Sequence, residues 1–301
     1  MSKIIIAIHG MGNKPPRKQL SVWWKAAIRE GLSNKGKFLF LRFKMVYWAS
    51  IVHRTPFNPQ CIDKDDPSYL KEPYIKSSNV VLKNRDNKIK KRIRKHINDQ
   101  LEKILYDGDG FSHFNSLTDF VLRHFVKDLA VYYGDPSGDS LSIRDEICRQ
   151  LADILRKHKR KKILLIAHSM GSIIAWDVLT RYVPEVEIDT FVTIGSPLGI
   201  PVVKNHLVAD LKASGDASKE LRTPENIRGA WKNLADFKDL VAFNADLKND
   251  FLPNRLGVQP EDFFIHNDYE SNGNENHHKS YGYLRCPEMS QIISDFLRWK
   301  K

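Results

Sequence analysis

Cysteine is scarce: Cys61, Cys148 and Cys286 are the only three in 301 residues. They stand far apart, form no C-x-x-C pair and are odd in number. That excludes a disulfide framework of the small secreted kind and points to a reducing compartment. No apolar run approaches the roughly 18 residues of a membrane span. The apolar start, Ile4 to Ile8, is too short for a signal peptide and no small-residue cleavage site follows it, so the expected setting is the cytoplasm. H-E-x-x-H and comparable ligand spacings are missing, so no metal is expected. The glycines near residue 10 fit neither a Walker motif nor G-x-G-x-x-G, and there are no internal repeats. Acidic residues are short as well. Against 48 Lys and Arg stand 36 Asp and Glu, a net charge of +12 that favours anionic partners without choosing among them.

What remains is an ordinary globular composition, long enough for one large domain over residues 1–301. Ile163–Ala167 is a short apolar run that predicts a strand buried on both faces. A helical pattern follows from Ser172, with Ile173, Ile174, Trp176, Val178 and Leu179 before Pro184. Between them, His168–Ser169–Met170–Gly171 leaves room only for a sharp turn. Such a turn lifts the serine hydroxyl clear of its neighbours and aims a helix N-terminus, with its free N–H groups, at whatever reacts there. Small residues must flank it, and Ala167 and Gly171 meet that need. A serine helix N-cap would require the same polar residue at the same place. Partners elsewhere in the chain must decide between the two.

Ile4–Ile8 reads as another central strand, ending at His9–Gly10–Met11–Gly12–Asn13. A helix is predicted over Arg17–Leu32 and a second strand over Phe38–Trp48. Residues 51–140 do not look like core sheet. Pro56, Pro59, Pro67 and Pro73 break the first half into loops. Lys83–Ile97 then carries eight Lys and Arg and one Asp, with Ile89, Ile93, Ile97, Leu101 and Leu105 at i, i+4 spacing, which predicts an amphipathic helix with a basic face. A second helical stretch runs from Leu117 to Val131. Ser142–Lys159 predicts a further helix with Ile143, Ile147, Leu151, Ile154 and Leu155 on its buried face and cations at its C-terminal end. Thr190–Ile194 and Ala230–Ala235 read as strands, Asn205–Thr223 as a polar excursion, and the chain to about Asn276 as a long polar segment. A last amphipathic helix spans Pro287–Trp299. Strands alternating with helices argue for a mostly parallel sheet covered on both faces.

Acyl transfer at a serine needs a base for the hydroxyl proton, an acid to orient that base, and donors for the oxyanion. After Ser169 the chain offers Asp236 or Asp239, and then His277 or His278, each beyond a predicted strand or in a late loop, where the groups of an open α/β sheet gather. The backbone N–H groups of Met11 and Met170 would form the oxyanion hole. His9 reads as a structural hydrogen-bonding residue beneath that loop and His168 as a packing residue beside the serine.

His9–Gly10–Met11–Gly12, Ala167–His168–Ser169–Met170–Gly171 and a late histidine together resemble the α/β-hydrolase superfamily. Trp231–Ala242 is similar to the W-x-N…D-x-x-D-x-V-A segment of lipase-like serine esterases, whose second aspartate is the triad acid, and His278–Tyr281 is similar to their H-x-x-Y ending. The resemblance implies an α/β-hydrolase fold, with 51–140 as a helical, basic lid or cap before the nucleophile strand. It implies a Ser169–Asp239–His278 triad cleaving an ester of a lipid or other acylated substrate, with no cofactor. It does not extend over 51–140 themselves. A second expectation, from a different class, is a hydrolase-fold binding module that has lost catalysis and holds an anionic partner. The Lys83–Lys95 face suits an acidic membrane surface; aromatics are not interleaved with its cations as single-stranded nucleic acid would want.

Overall fold

The computed structural model describes residues 1–36, 40–77, 125, 127–134, 142–213, 215, 220–242, 244 and 246–298. The expected basic helix over 83–105 lies outside them, as do most of the Leu117–Val131 stretch and the Phe38–Leu39 part of the predicted second strand.

Six strands carry the fold: β1 (Lys3–Ile8), β2 (Phe43–Val46), β3 (Lys162–His168), β4 (Ile188–Ile194), β5 (Ile227–Asp236) and β6 (Pro260–Ile265). They pair in the order β2-β1-β3-β4-β5-β6, every pair parallel. The strand before the serine, β3, is central, in register with β1 (Ile8 opposite Ala167) and with β4 (His168 opposite Ile194). Side chains alternate between sheet faces. Ile4, Ile6, Ile8, Ile163 and Leu165 therefore enter one core, and Ile5, Ala7, Leu164 and Ile166 the other. A strand buried on both faces has no polar side to show, which is why these two runs are apolar throughout.

The first face is covered by α3 (Ile143–His158), α4 (Met170–Asp177) and α5 (Pro201–Ala213), and the second by α1 (Arg17–Asn34), α7 (Ser280–Arg285) and α8 (Pro287–Leu297). Short helices α2 (Ala49–Val52) and α6 (Leu247–Asp250) complete the set described, and a helical segment over 127–133 packs into the first core through Leu129 and Tyr132. Ser142 caps α3, its Oγ accepting from Asp145 N at 3.0 Å, and Arg156, Lys157 and His158 close the other end where the dipole favours cations. An antiparallel hairpin, β7 (Glu270–Ser271) and β8 (Asn274–Glu275), turns through Asn272 and Gly273, both at positive φ, the pairing that a two-residue hairpin turn prefers.

Several boundaries differ from expectation. Among the described residues the second strand covers only Phe43–Val46, because β2 is an edge strand held on one side only, and Phe40 is 83% exposed. The polar excursion begins in a helix: Val203 and Leu207, four apart, bury one stripe of α5, which therefore runs to Ala213. The long polar segment contains β6, whose Glu261 and Asp262 belong to the opposite edge of the sheet. Ile143 is exposed at the first turn of α3, and Cys148 and Ala152 take buried places on that face instead. The helix after the serine starts at Met170 rather than Ser172 and ends in a π-turn over Val178–Tyr182.

Candidate active site

Where β3 ends, the backbone turns at Ser169 with φ 53 and ψ −129, a region that costs a residue with a side chain about 1–3 kcal/mol. The surroundings hold it there. Ser169 N donates to Ile194 O at 3.0 Å, and its carbonyl accepts from Ser172 N at 2.8 Å and Ser172 Oγ at 2.6 Å. The end of β1 lies hard against this turn. A methyl group built on Gly10 would sit 2.6 Å from Ser169 Cβ, and one on Gly171 would sit 2.7 Å from the His9 carbonyl.

His278 reaches the serine from the loop between β8 and α7, with Nε2 2.8 Å from Ser169 Oγ. Its Nδ1 is 2.9 Å from both carboxylate oxygens of Asp239, which stands just beyond β5. The carboxylate fixes the ring proton on Nδ1, so Nε2 is the acceptor for the serine hydroxyl. Asp239 is fully buried. Its Oδ1 accepts from Val241 N at 3.0 Å and Ala242 N at 3.3 Å, and its Oδ2 accepts from the hydroxyl of Tyr283 at 2.7 Å. Gly195, at φ 56, leaves the room this pair needs: a methyl group there would lie 2.9 Å from Asp239 Oδ2 and 3.3 Å from His278 Nδ1. This arrangement can move a proton from Ser169 Oγ to His278 while Asp239 stabilises the imidazolium.

The neighbouring candidates form a separate pair. His277 Nδ1 lies 3.7 Å from Asp236 Oδ2, and its Nε2 is 2.9 Å from Glu275 Oε2. Asp236 accepts from Asn267 N at 2.5 Å and Lys238 N at 2.7 Å, tying the turn after β5. Neither residue is bonded to Ser169.

Among the described residues, the N–H groups of Met11 and Met170 donate to no other residue, which leaves both free for an anion. His9 lies beneath that loop. Its Nε2 accepts from Trp48 N at 3.2 Å and Ala49 N at 3.4 Å, and its Nδ1 donates to Gly10 O at 2.7 Å. Burial, assisted by Lys14, pulls its pKa down from 6.5 to about 3, so the ring is neutral. His168 is neutral too, held far below its ordinary value by burial and then by His278, and its Nε2 donates to the His278 carbonyl at 2.8 Å.

The PGAP1-like alpha/beta domain family matches residues 96–223, a little under half of the chain and the part that holds β3, the serine turn, α4, β4 and α5. The fold is of the α/β-hydrolase type. No curated protein matches the chain. Asp239 and His278 fall outside the family match, and geometry alone joins them to Ser169.

In this hydrolase-type fold the C-terminal ends of the strands open into a cavity of about 360 Å³. Leu20, Trp24, Phe57 and Leu70 give it an apolar wall; Lys14, Glu72, Asn276 and Lys279 give it a polar one; and Met11 and His278 border it. Ser169 itself is buried. A larger hollow of about 620 Å³, between β4–β6 and α8, contains none of these groups. Among the described residues no group of three His, Cys, Asp or Glu side chains converges as metal ligands would.

Tyr283, Gly195 and Lys14 were not singled out by sequence. The H-x-x-Y pattern draws attention to Tyr281, which lines the cavity, whereas the tyrosine on Asp239 is two residues later. The Asn272–Gly273 pair was a legible signal for the hairpin that delivers His277 and His278.

Proposed function

We propose that this chain is a serine hydrolase that cleaves an ester, with a lipid or other acylated molecule as substrate. Ser169 Oγ attacks the acyl carbon while His278 Nε2 takes its proton. The N–H groups of Met11 and Met170 receive the oxyanion, and Asp239 holds the imidazolium. His278 then returns the proton to the departing alkoxide, leaving an acyl group on Ser169. Water, activated by the same nitrogen, attacks that acyl-enzyme and releases the acid. The observation that carries this reading is the unbroken line from Ser169 Oγ through His278 to Asp239, with 2.8 Å and 2.9 Å links, at a serine held at positive φ.

The test is labelling by a fluorophosphonate beside turnover of p-nitrophenyl esters. Wild type should label and turn over, and Ser169→Ala should lose both while keeping its melting temperature. Undiminished labelling of Ser169→Ala would sink the assignment. One observation favours a catalytically silent module for an anionic partner: Ser169 is buried. That alternative predicts a folded wild type that neither labels nor turns over.

An acidic membrane surface is the partner we propose for Lys83–Lys95, on the strength of its eight cations alone. The cytoplasm is the proposed setting. All three thiols are unpaired, and among the described residues no helix is long and apolar enough to cross a membrane.

A further inference from the structure

The loop between β1 and α1 carries the Met11 N–H, and side chains hold both peptides that flank Met11. The Gly10 carbonyl accepts from His9 Nδ1 at 2.7 Å. No peptide described is cis, so each N–H points away from its own C=O, and the Met11 N–H is turned away from the His9 ring. On the other side, the Met11 carbonyl accepts from Lys14 Nζ. The N–H of that same peptide, on Gly12, donates to Asp128 Oδ2 at 2.5 Å, from the helical segment over 127–133. Lys14 Nζ also donates to the carbonyls of Gly12 at 3.1 Å and Asn13 at 3.4 Å. Three successive carbonyl dipoles converging on one point repel one another, and a cation at that point makes the shape favourable.

We propose that Lys14 is a positioning residue for the oxyanion hole: its ammonium and the Asp128 carboxylate grip the Met11–Gly12 peptide from opposite sides and so fix the Met11 N–H beside Ser169. The catalytic consequence rests on Ser169 being the nucleophile; the grip on the loop does not. The charges facing Lys14 are Lys279, Asp128 and Glu72, with the imidazoles of His9, His53, His168 and His278 around the same cavity. Burial first, and then Lys279, lower its pKa from 10.5 to about 7 against the opposite pull of Asp128 and Glu72. The grip therefore weakens as pH rises through neutrality.

The experiment compares wild type with Lys14→Met, Lys14→Arg and Asp128→Asn, by amide hydrogen exchange over residues 9–14 and by kcat and KM for p-nitrophenyl acetate between pH 6 and 9. Lys14→Met should exchange about tenfold faster in that loop. Its kcat should fall about ten- to a hundredfold, up to the cost of losing one oxyanion donor, with KM changed less than about threefold. Wild-type kcat should decline above neutrality, Lys14→Met should lack that decline, and Lys14→Arg should retain activity through it because a guanidinium stays protonated. Asp128→Asn keeps the shape, should move exchange and kcat the same way, and carries the comparison if Lys14→Met does not fold. Unchanged exchange overturns the grip, whether or not the protein is an esterase. Faster exchange with unchanged kcat, in an enzyme that Ser169→Ala silences, overturns the catalytic role. A wild type without Ser169-dependent turnover instead fails the esterase assignment, and the exchange comparison still decides what Lys14 does to the loop.

Discussion

Replacing Tyr283 by phenylalanine removes one oxygen from a fully buried ring and breaks two bonds. The hydroxyl donates to Asp239 Oδ2 at 2.7 Å and accepts from Asp236 N at 2.9 Å, so it bridges the proposed triad acid and the end of β5. A hydrogen bond to a charged group contributes about 1.5–3 kcal/mol, and an N–H left unpaired in the interior costs about 1–3 kcal/mol. Both effects share one oxygen and do not add fully, and the ring itself keeps its packing. Tyr283→Phe should therefore lower stability by about 3 kcal/mol, or about 6 °C in melting temperature for a chain of this size. Asp239 keeps its two backbone donors, Val241 N and Ala242 N. Its orientation should thus be loosened rather than lost, with kcat falling about tenfold instead of the roughly 10⁴-fold that follows when a triad acid is neutralised. Differential scanning fluorimetry and p-nitrophenyl butyrate turnover read the two effects separately. A melting temperature within about 1 °C of wild type would show that the bridge contributes nothing and refute the reasoning.

The His277–Asp236 pair and the cavity each give a further outcome. Burial would lower the His277 pKa, but Asp236 and Glu275 outweigh it and hold it above 6.5; burial would raise Asp236, but His277 and the N–H groups of Asn267 and Lys238 outweigh it and hold it below 3.8. The histidine's contribution is full below pH 6.5 and lost as pH rises through its folded value, while the aspartate's is present above 3.8 and lost in acid. In urea titrations the stability of wild type relative to His277→Asn should therefore decline as pH rises above 6.5, with kcat unchanged; a difference between the two that does not vary with pH removes His277 as its cause. The 360 Å³ cavity holds on the order of a dozen heavy-atom groups at roughly 30 Å³ each, so ester turnover should fall beyond acyl chains of about ten carbons, and rates still rising at longer chains would mean that the acyl group lies elsewhere.

What could be read from the residues follows from how many neighbours specify them. β1 and β3 lie between two layers, so every position is constrained to be apolar and the runs Ile4–Ile8 and Ile163–Ala167 mark themselves. β2 and β6 border one strand each. These edge strands carry Lys44, Glu261 and Asp262, so the apolar pattern blurs: it overextends β2 and leaves β6 unmarked. Helix α5 was masked by its exposed polar face, although Val203 and Leu207 carried the period that its packing requires.

The site divides along the same line. Ser169 is legible because its chemistry and its strained turn are local, set by Ala167 and Gly171 on either side. The choice of Asp239 over Asp236, and of His278 over His277, turns on which way each carboxylate and ring faces. That is decided by Tyr283 and Asn267, 44 and 31 residues from the aspartates they touch. Lys14 is further still from legibility, because its partner Asp128 meets the same peptide from 116 residues along the chain. A residue that makes a bond can be proposed from its own chemistry; one that holds another in place is defined only by the contacts the fold creates. Substitutions at Tyr283, Lys14 and Asp128 should consequently alter orientation and pH response more than substrate affinity, which separates them from the cavity-lining Leu20, Trp24 and Phe57, where affinity and chain-length preference should move first.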